Sequence, residues 1–211
     1  MSKYVKYPRT HHVPWSLAIT NDDKVVKSME HFNGKQVVVT EKMDGENTSL
    51  YNDYFHARSI DSNNHPSRNM VKQIHASFSH DIPEGWRVCG ENVYARHSIQ
   101  YDNLESYFYG FSIWDETNTC LSWDETIRWF ELLGITPVRV LYEGLYDENA
   151  IRLLYDERST SVMEGYVVRV RENFGYDEFN TRVAKFVRKD HVQTDKHWMN
   201  MEIIPNKLKE V

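Results

Sequence analysis

Short runs of β-branched and aromatic residues, separated by polar turn residues, recur along most of the chain. Such runs are typical of β-strands, because branched and aromatic side chains pack well on a pleated surface. The pattern predicts strands over Val37–Thr40, Thr48–Tyr54, Trp86–Asn92, Tyr107–Trp114, Pro137–Tyr142, Tyr166–Arg171 and Val183–Val187.

The clearest helix signal begins at Ser122, which forms a capping-box pattern with Glu125, and ends at Gly134. Apolar residues repeat at helical spacing between these ends, which favours core packing over a binding surface. Two further helices are predicted over Pro66–Ser79 and Glu148–Asp156. The distribution indicates an α+β fold of antiparallel sheets with peripheral helices.

A length of 211 residues suffices for one core, and we expect residues 1–211 to form a single domain. Charged residues make up 27% of the chain and the mean hydropathy is −0.65. No apolar run is long enough to span a membrane or to act as an export signal, so we expect a cytoplasmic protein without membrane contact. Cys89 and Cys120 lack metal-type spacing, which favours two reduced thiols over a disulfide.

Lys42 stands between the apolar run Val37–Thr40 and the pair Asp44-Gly45. A lysine in this position has the arrangement of a nucleophile, but an ordinary amine is only roughly one part in a thousand neutral near pH 7.4. Covalent chemistry therefore requires nearby cations or partial desolvation. The alternative is a β-hairpin that turns at Asp44-Gly45 and leaves Lys42 solvated.

Lys42-x-Asp44-Gly45-x-Asn47 is the first of several short motifs, each of which is weak alone. The others are Ala57-Arg58-Ser59, Gly90-Glu91, Tyr109-Gly110-Phe111, Glu164-Gly165-Tyr166 and Val183-Ala184-Lys185-Phe186. In order and spacing, the series resembles the collinear motifs of the covalent nucleotidyltransferases, which include ATP-dependent polynucleotide ligases and messenger-RNA capping enzymes. The form of the first motif looks most like that of RNA ligases related to the second RNA ligase of phage T4.

The resemblance implies a nucleotidyltransferase fold of two antiparallel sheets with ATP between them. It implies that Lys42 attacks the α-phosphate of ATP and becomes lysyl-AMP, while Lys185 contacts that phosphate. Glu164 would support Mg²⁺ and the adenylylation step, and Glu91 would bind the ribose. Taken alone, Glu91 and Glu164 read as surface acids beside turns, and Lys185 as a lysine on a strand face.

Four further ATP-site residues follow from the resemblance. Arg58 would lie near the ribose and phosphates, although a surface ion pair is its ordinary role. Phe111 would stack on adenine, and by itself it reads as a core residue. Asn47 would hold a water on the metal, and the backbone around Glu41 would hydrogen-bond the edge of the base.

The chain departs from the family pattern in its last motif and its length. Val183 and Val187 flank Lys185 where relatives usually carry a second lysine, which leaves Arg188 as the candidate substitute, and Ser112 follows Phe111 where relatives often carry an acid. Residues 188–211 are too few for the accessory domain of larger ligases. We therefore expect a minimal enzyme that grips RNA with its core or with an accessory RNA-binding partner.

The net charge of −6 disfavours RNA binding if charge is spread evenly. Basic residues nevertheless concentrate late in the chain, and they predict either a positive groove or ordinary exposed strand faces. They are Arg169, Arg171, Arg182, Lys185, Arg188 and Lys189.

Two groups of histidines are harder to interpret. His11 and His12 suggest a metal site, but adjacent residues rarely bind one ion, so we expect an ordered surface loop. His191 and His197 follow the basic residues and predict either RNA contact or a solvated segment.

The sequence therefore predicts an ATP-dependent RNA ligase that passes AMP from Lys42 to an RNA 5′-phosphate and joins that end to a 3′-hydroxyl. The alternatives are a DNA ligase, a capping-type nucleotidyltransferase, and a non-catalytic module that binds nucleotides or RNA ends. The sequence leaves open whether the substrate is a nick, a hairpin break or free single strands.

Overall fold

The computed structural model describes residues 3–62, 64–156, 163–189 and 202–210. The predicted segment with His191 and His197 lies outside these ranges. The described strands are β1 (His11–His12), β2 (Gln36–Lys42), β3 (Glu46–Leu50), β4 (Phe55–Ala57), β5 (Arg87–Asn92), β6 (Phe108–Trp114), β7 (Thr119–Cys120), β8 (Thr136–Pro137), β9 (Val140–Leu145), β10 (Gly165–Val170), β11 (Phe174–Gly175) and β12 (Val183–Val187). The α-helices are α1 (Asn69–Phe78), α2 (Trp123–Leu133), α3 (Glu148–Arg152) and α4 (Phe179–Arg182), and short 3-10 turns cover Glu30–Phe32, Pro66–Arg68, Ser79–Asp81 and Tyr176–Glu178.

The strands form two sheets. Sheet A has the order β1-β12-β10-β2-β9, and sheet B has the order β11-β7-β6-β5-β3-β4 with β8 beside β6. All pairings between the named strands are antiparallel except β1 with β12 and β6 with β8. The predicted α+β class with two antiparallel sheets is therefore confirmed.

The chain crosses from sheet A to sheet B directly after Lys42. β2 pairs with β9 and β10, whereas β3 pairs with β4 and β5, so β2 and β3 form no hairpin. Gly45 lies in the crossing, where a Cβ atom would stand 2.5 Å from the carbonyl oxygen of Asn92. The hairpin alternative is wrong, because the first motif is the link between the two sheets.

The helix signals are confirmed more closely than the strand limits. Ser122 and Glu125 form the capping box of α2, and Gly134 ends it in the left-handed conformation with φ 66°. The predicted strand Thr48–Tyr54 instead ends at Leu50, and a turn follows in which the Tyr51 N–H donates to the Tyr54 carbonyl at 2.7 Å. α3 is also shorter than predicted and ends at Arg152.

Residues from both sheets share one hydrophobic cluster. Val37, Val39 and Tyr166 of sheet A belong to the same buried group as Cys89 and Trp114 of sheet B. This packing fixes the two sheets against each other. Among the described helices, none is long and apolar enough to cross a membrane.

Candidate active site

A cleft of about 1720 Å³ is lined by residues of both sheets. It is the place where the scattered motifs of the sequence meet. Its lining includes eight of the predicted site residues, which are Glu41, Lys42, Asn47, Arg58, Glu91, Phe111, Glu164 and Lys185.

Lys42 and Glu164 form an ion pair in this cleft. Lys42 ends β2, and its Nζ donates to Glu164 Oε2 at 2.6 Å. The side chain of Glu164 is 5% exposed and that of Lys42 is 24% exposed. Lys42 is the register partner of Gly165, where a Cβ would lie 1.9 Å from the carbonyl oxygen of Phe186. Only glycine fits between β10 and β12 here, and its close packing holds Glu164 beside Lys42.

The surrounding carboxylates hold the proton on Lys42. Burial alone would lower the pKa of Lys42, but Glu164, Glu91 and Asp44 together raise it above its ordinary value. Without ligands, Lys42 is therefore an ammonium ion. Covalent chemistry requires a neutral amine, so the positive charge that would lower the pKa of Lys42 must come from bound ligands.

Burial disfavours the charged form of Glu91. Burial raises its pKa to about 8, Lys42 opposes this shift, and Glu164, Asp44 and Glu46 add to it. Glu91 therefore carries a proton through much of the neutral range and can donate a hydrogen bond.

Lys185 faces the same cleft from β12. Burial and the charge of Lys42 lower its pKa to about 8, while Asp23 and Glu164 act against this shift. Its Nζ lies 4.0 Å from Asp23 Oδ1, and its side chain is 21% exposed. Lys185 is thus a cation in reach of the cleft with a loose ion-pair partner.

Asn47 brings an unsatisfied oxygen to the site. Asn47 is the register partner of Glu91 in sheet B, and its Oδ1 is buried without a hydrogen-bond partner among the described residues. A buried amide oxygen normally accepts a hydrogen bond, so this atom fits a water or a hydrated cation. Within the described ranges, no three His, Cys, Asp or Glu residues are grouped to hold a metal ion. Glu164 and Asn47 supply oxygen donors, which fit a hard cation that keeps most of its own waters.

Phe111 is directed by an irregularity in sheet B. Cys89 pairs with Ser112 and Gly90 pairs with Gly110, so Phe111 is the extra residue of a β-bulge. Its ring meets the ring of Tyr7 edge-on at 5.3 Å. Phe111 and Tyr109 also pack on the same hydrophobic cluster.

The three remaining predicted residues differ in position: Glu41 and Arg58 line the cleft, whereas Arg188 does not. The Glu41 N–H donates to the Arg139 carbonyl at 2.8 Å, and the Glu41 carboxylate accepts from Arg139 Nε at 2.9 Å. Arg58 is exposed at the end of β4 and lines the cleft. The Arg188 N–H donates to the Glu164 carbonyl at 2.9 Å, but Arg188 is not among the lining residues.

The turn after Lys42 is fixed largely by residues outside the motifs. Asp44 Oδ2 accepts from the N–H groups of Ser98 and Ile99 at 2.8 and 2.7 Å, and the Asp44 N–H donates to Tyr101 Oη at 2.9 Å. Asn206 in turn accepts from the Tyr101 N–H at 2.9 Å. Asp44 lies inside the first motif, but its hydrogen-bond partners are distant in sequence and belong to none of the motifs, so the sequence did not predict these contacts.

The late basic residues do not gather into one surface. Arg169 is 4% exposed, and its guanidinium donates to the carbonyl of Leu121 at 2.8 Å. Arg171 is paired with Asp124 at 2.7 Å and Arg182 is paired with Glu178. Of the predicted cluster, only Arg169 and Lys185 line the cleft. Other cations that line it come from elsewhere in the chain and include Lys6, Arg9, Arg58 and Arg96.

The expectation of a surface loop around His12 is wrong. His12 is 2% exposed and belongs to β1, which runs parallel to β12. Strand pairing with a distant segment produced this burial, and a two-residue strand has too little periodicity to be predicted. The prediction for the cysteines is confirmed, because Cys89 and Cys120 are both buried and free.

Comparisons with known proteins agree with this geometry. The sequence model of a family described as RNA ligase matches residues 35–187. This range contains the site residues from Glu41 to Lys185. Among curated proteins, no sequence matches the chain.

Solved structures of RNA ligases share the fold. An archaeal ATP-dependent RNA ligase has 16% identity and a TM-score of 0.56 over 87% of this chain. A Naegleria gruberi RNA ligase variant with ATP and Mn has 17% identity and a TM-score of 0.60 over 90% of this chain. The same Naegleria ligase with PPi has 18% identity and a TM-score of 0.56 over 88% of this chain. The matched regions cover 48%, 57% and 61% of those chains, so this chain corresponds to only part of their length.

Proposed function

Because this chain belongs to the RNA ligase family, we propose that it is an ATP-dependent RNA ligase that works through a lysyl-AMP intermediate on Lys42. We also propose that residues 1–211 act as one nucleotidyltransferase domain. The observation that carries the proposal is the cleft in which Lys42 lies 2.6 Å from Glu164, with Lys185 and Glu91 on the same lining. Motifs that are far apart in sequence meet there.

In the first step, the neutral amine of Lys42 attacks the α-phosphorus of ATP. A nitrogen–phosphorus bond forms, the bond to the bridging oxygen breaks, and pyrophosphate leaves with the electron pair of that bond. The proton held on Lys42 by the adjacent Glu164 carboxylate must leave first. Glu164 is the group placed to accept it, since it already receives the hydrogen bond of that amine.

The ATP phosphates bring negative charge into a cleft that holds several cations. Lys185 is assigned to the α-phosphate and Arg58 to the adjoining phosphates, because both line the cleft and the partner of Lys185, Asp23, lies 4.0 Å away. Mg²⁺ would be held by Glu164 and, through water, by Asn47, whose buried oxygen lacks a partner among the described residues. When bound, the metal would offset the charge of the phosphates and carboxylates that otherwise keeps Lys42 protonated.

The nucleoside would be held by groups from both sheets. Phe111 offers its ring to the adenine, because the bulge in β6 directs it toward the cleft. Glu91 is protonated at neutral pH and can donate to a ribose hydroxyl. Glu41 lines the cleft beside Lys42, and its backbone carbonyl is the group proposed to meet the edge of the base.

In the later steps, AMP passes from Lys42 to the 5′-phosphate of RNA, and a 3′-hydroxyl then attacks that phosphate and releases AMP. RNA ends with these groups are therefore the proposed substrates. The chain matches only about half to three fifths of the ligase structures cited above. The proposal further includes an accessory RNA-binding partner.

The test is a reaction of the purified protein with α-labelled ATP and Mg²⁺, followed by denaturation. We expect label that stays on the protein and moves to 5′-phosphorylated RNA when RNA is added. A panel of RNA and DNA ends distinguishes RNA joining from DNA joining. Labelled GTP in place of ATP tests capping, and absence of any covalent label would support a binding module instead.

A further inference from the structure

The N-terminal part of the chain, outside the family match, places two polar residues beside Lys185. His12 on β1 is the register partner of Lys185 on β12. The Nε2 atom of His12 lies 3.3 Å from Asp23 Oδ1, and the same oxygen lies 4.0 Å from Lys185 Nζ. Asp23 therefore stands between a buried imidazole and a lysine of the cleft.

Asp23 is held in place by its own loop. Its Oδ2 accepts from the Thr20 N–H at 3.1 Å and from Thr20 Oγ1 at 2.8 Å. The loop is fixed to β1, because the His12 N–H donates to the Lys24 carbonyl at 2.7 Å and the Val26 N–H donates to the His12 carbonyl at 2.9 Å. These contacts hold the Asp23 carboxylate in place independently of the Lys185 side chain.

His12 faces Asp23 without adding charge. Burial and the charge of Lys185 lower the pKa of His12 to about 4, against the opposing effect of Asp23. A neutral imidazole that faces a carboxylate carries its proton on Nε2. Its Nδ1, 2.8 Å from Ser16 Oγ, then accepts from that hydroxyl. Ser16 Oγ also accepts from the Val187 N–H at 2.9 Å, which ties the unit to β12.

Charges of both signs face Lys185 from the surrounding elements. After the effect of burial, Lys42 at the end of β2 and Arg58 at the end of β4 lower its pKa, whereas Asp23 and Glu164 raise it. Glu164 is already engaged by Lys42. Asp23 is therefore the carboxylate available to keep Lys185 charged.

We propose that Asp23, held by Thr20 beside the buried His12, is a positioning residue that keeps Lys185 protonated for contact with phosphate in the cleft. The inference rests on the role proposed above for Lys185. It also gives a physical reason for the irregular last motif, in which Val183 and Val187 flank the single lysine. A site with one lysine in place of two depends more strongly on that lysine staying charged.

Chemical reactivity tests the inference without ATP. Acetic anhydride modifies only neutral amines, so the extent of Lys185 acetylation against pH, read by mass spectrometry, gives its protonation in the full chain. We expect Asp23→Asn to move this curve to lower pH and to make Lys185 several-fold, up to about tenfold, more reactive near neutral pH. The neighbouring Asp22→Asn removes the same charge and serves as the control. Identical curves for Asp23→Asn and the wild-type protein would overturn the inference.

The rate of self-adenylylation at low ATP connects the inference to function. At low pH, Lys185 is protonated in either protein, so Asp23→Asn should match the wild-type rate. As the pH rises, the rate of the variant should drop below the wild-type rate at a pH where the wild-type Lys185 is still protonated. A structural defect would instead lower the rate of the variant at every pH. Thr20→Val, at an exposed position, removes a hydrogen bond that holds Asp23 but leaves its charge in place. This variant should lower the rate at low ATP more than the rate at saturating ATP. Absence of wild-type labelling would refute the proposed function, while the acetylation curves would still decide the role of Asp23.

Discussion

The central residue contact is a protonated Lys42 against Glu164, 2.6 Å apart. The carboxylates that raise the pKa of Lys42 suppress its reactivity until ligands bring in positive charge. The motif spacing predicted most of the residues around this contact, because each motif marks one position of the cleft. It could not predict Asp23, since its importance depends on its distance to Lys185 and not on any neighbour in sequence.

Glu91 provides a prediction at the scale of one residue. Its pKa is raised by burial to about 8 in the folded protein, so the folded state retains a proton that the unfolded state has released. The stabilisation from this group is complete at acidic pH, below its ordinary range, and is lost as pH rises toward 8. Glu91→Gln cannot ionise and should therefore be more stable than the wild-type protein at pH 8, on the order of 1–3 kcal/mol.

Urea unfolding at pH 5 and at pH 8 measures this difference for the ligand-free protein. The exposed Glu84→Gln is the matched control and should lose as much stability between the two pH values as the wild-type protein. If the free energy of unfolding of Glu91→Gln differs from that of the wild-type protein by the same amount at pH 5 and at pH 8, Glu91 does not carry the proton assigned to it.

At the scale of elements, the site depends on how strands meet. Helix α2 was predictable because its capping box and its terminal glycine are local signals. The crossing after Lys42 and the bulge at Phe111 were not, because both arise from the pairing of distant strands. The resemblance implied that adenine stacks on Phe111, but only the register of β5 and β6 gives a reason for its direction.

Gly165 tests the contact between β10 and β12. A Cβ atom at this position would meet the backbone of Phe186 at 1.9 Å, so Gly165→Ala must push the two strands apart. We expect a loss of about 1 to 3 kcal/mol in the free energy of unfolding, together with slower labelling, because Glu164 moves with the strand. Gly175→Ala is the control, since its nearest contact would be the Glu178 carboxylate at 3.8 Å. Equal stability of the two variants in urea would contradict the packing described here.

At the scale of the molecule, a chain with net charge −6 places, among its described residues, eight lysine and arginine residues in the lining of one cleft, beside nine acidic residues. The composition gave the total charge correctly but not its distribution, because four of the six late basic residues lie outside the cleft lining. The cations of the cleft come partly from the N-terminal segment. RNA contact would therefore depend on individual cations of the cleft, such as Arg9, and not on a positively charged surface.

Salt should separate RNA handling from ATP chemistry. RNA joining should fall steeply with added salt as counterions return to the phosphates, whereas self-adenylylation should fall less in the partly enclosed cleft. Arg9→Ala should reduce the salt dependence of joining, since its guanidinium lines the cleft. Arg171→Ala is the control, because that residue is paired with Asp124 and Glu143 outside the cleft. Equal effects of the two substitutions on the salt dependence would contradict a cleft-guided interaction.

The most direct measurement of the central claim is the site of covalent AMP. The protein is incubated with ATP and Mg²⁺, digested, and analysed by mass spectrometry, and Lys42→Arg is treated in the same way. We expect AMP on the peptide that contains Lys42 and none on Lys42→Arg, because a guanidinium stays protonated and cannot attack. The variant should otherwise unfold at the wild-type temperature. AMP on another residue, or undiminished labelling of Lys42→Arg, would contradict the account.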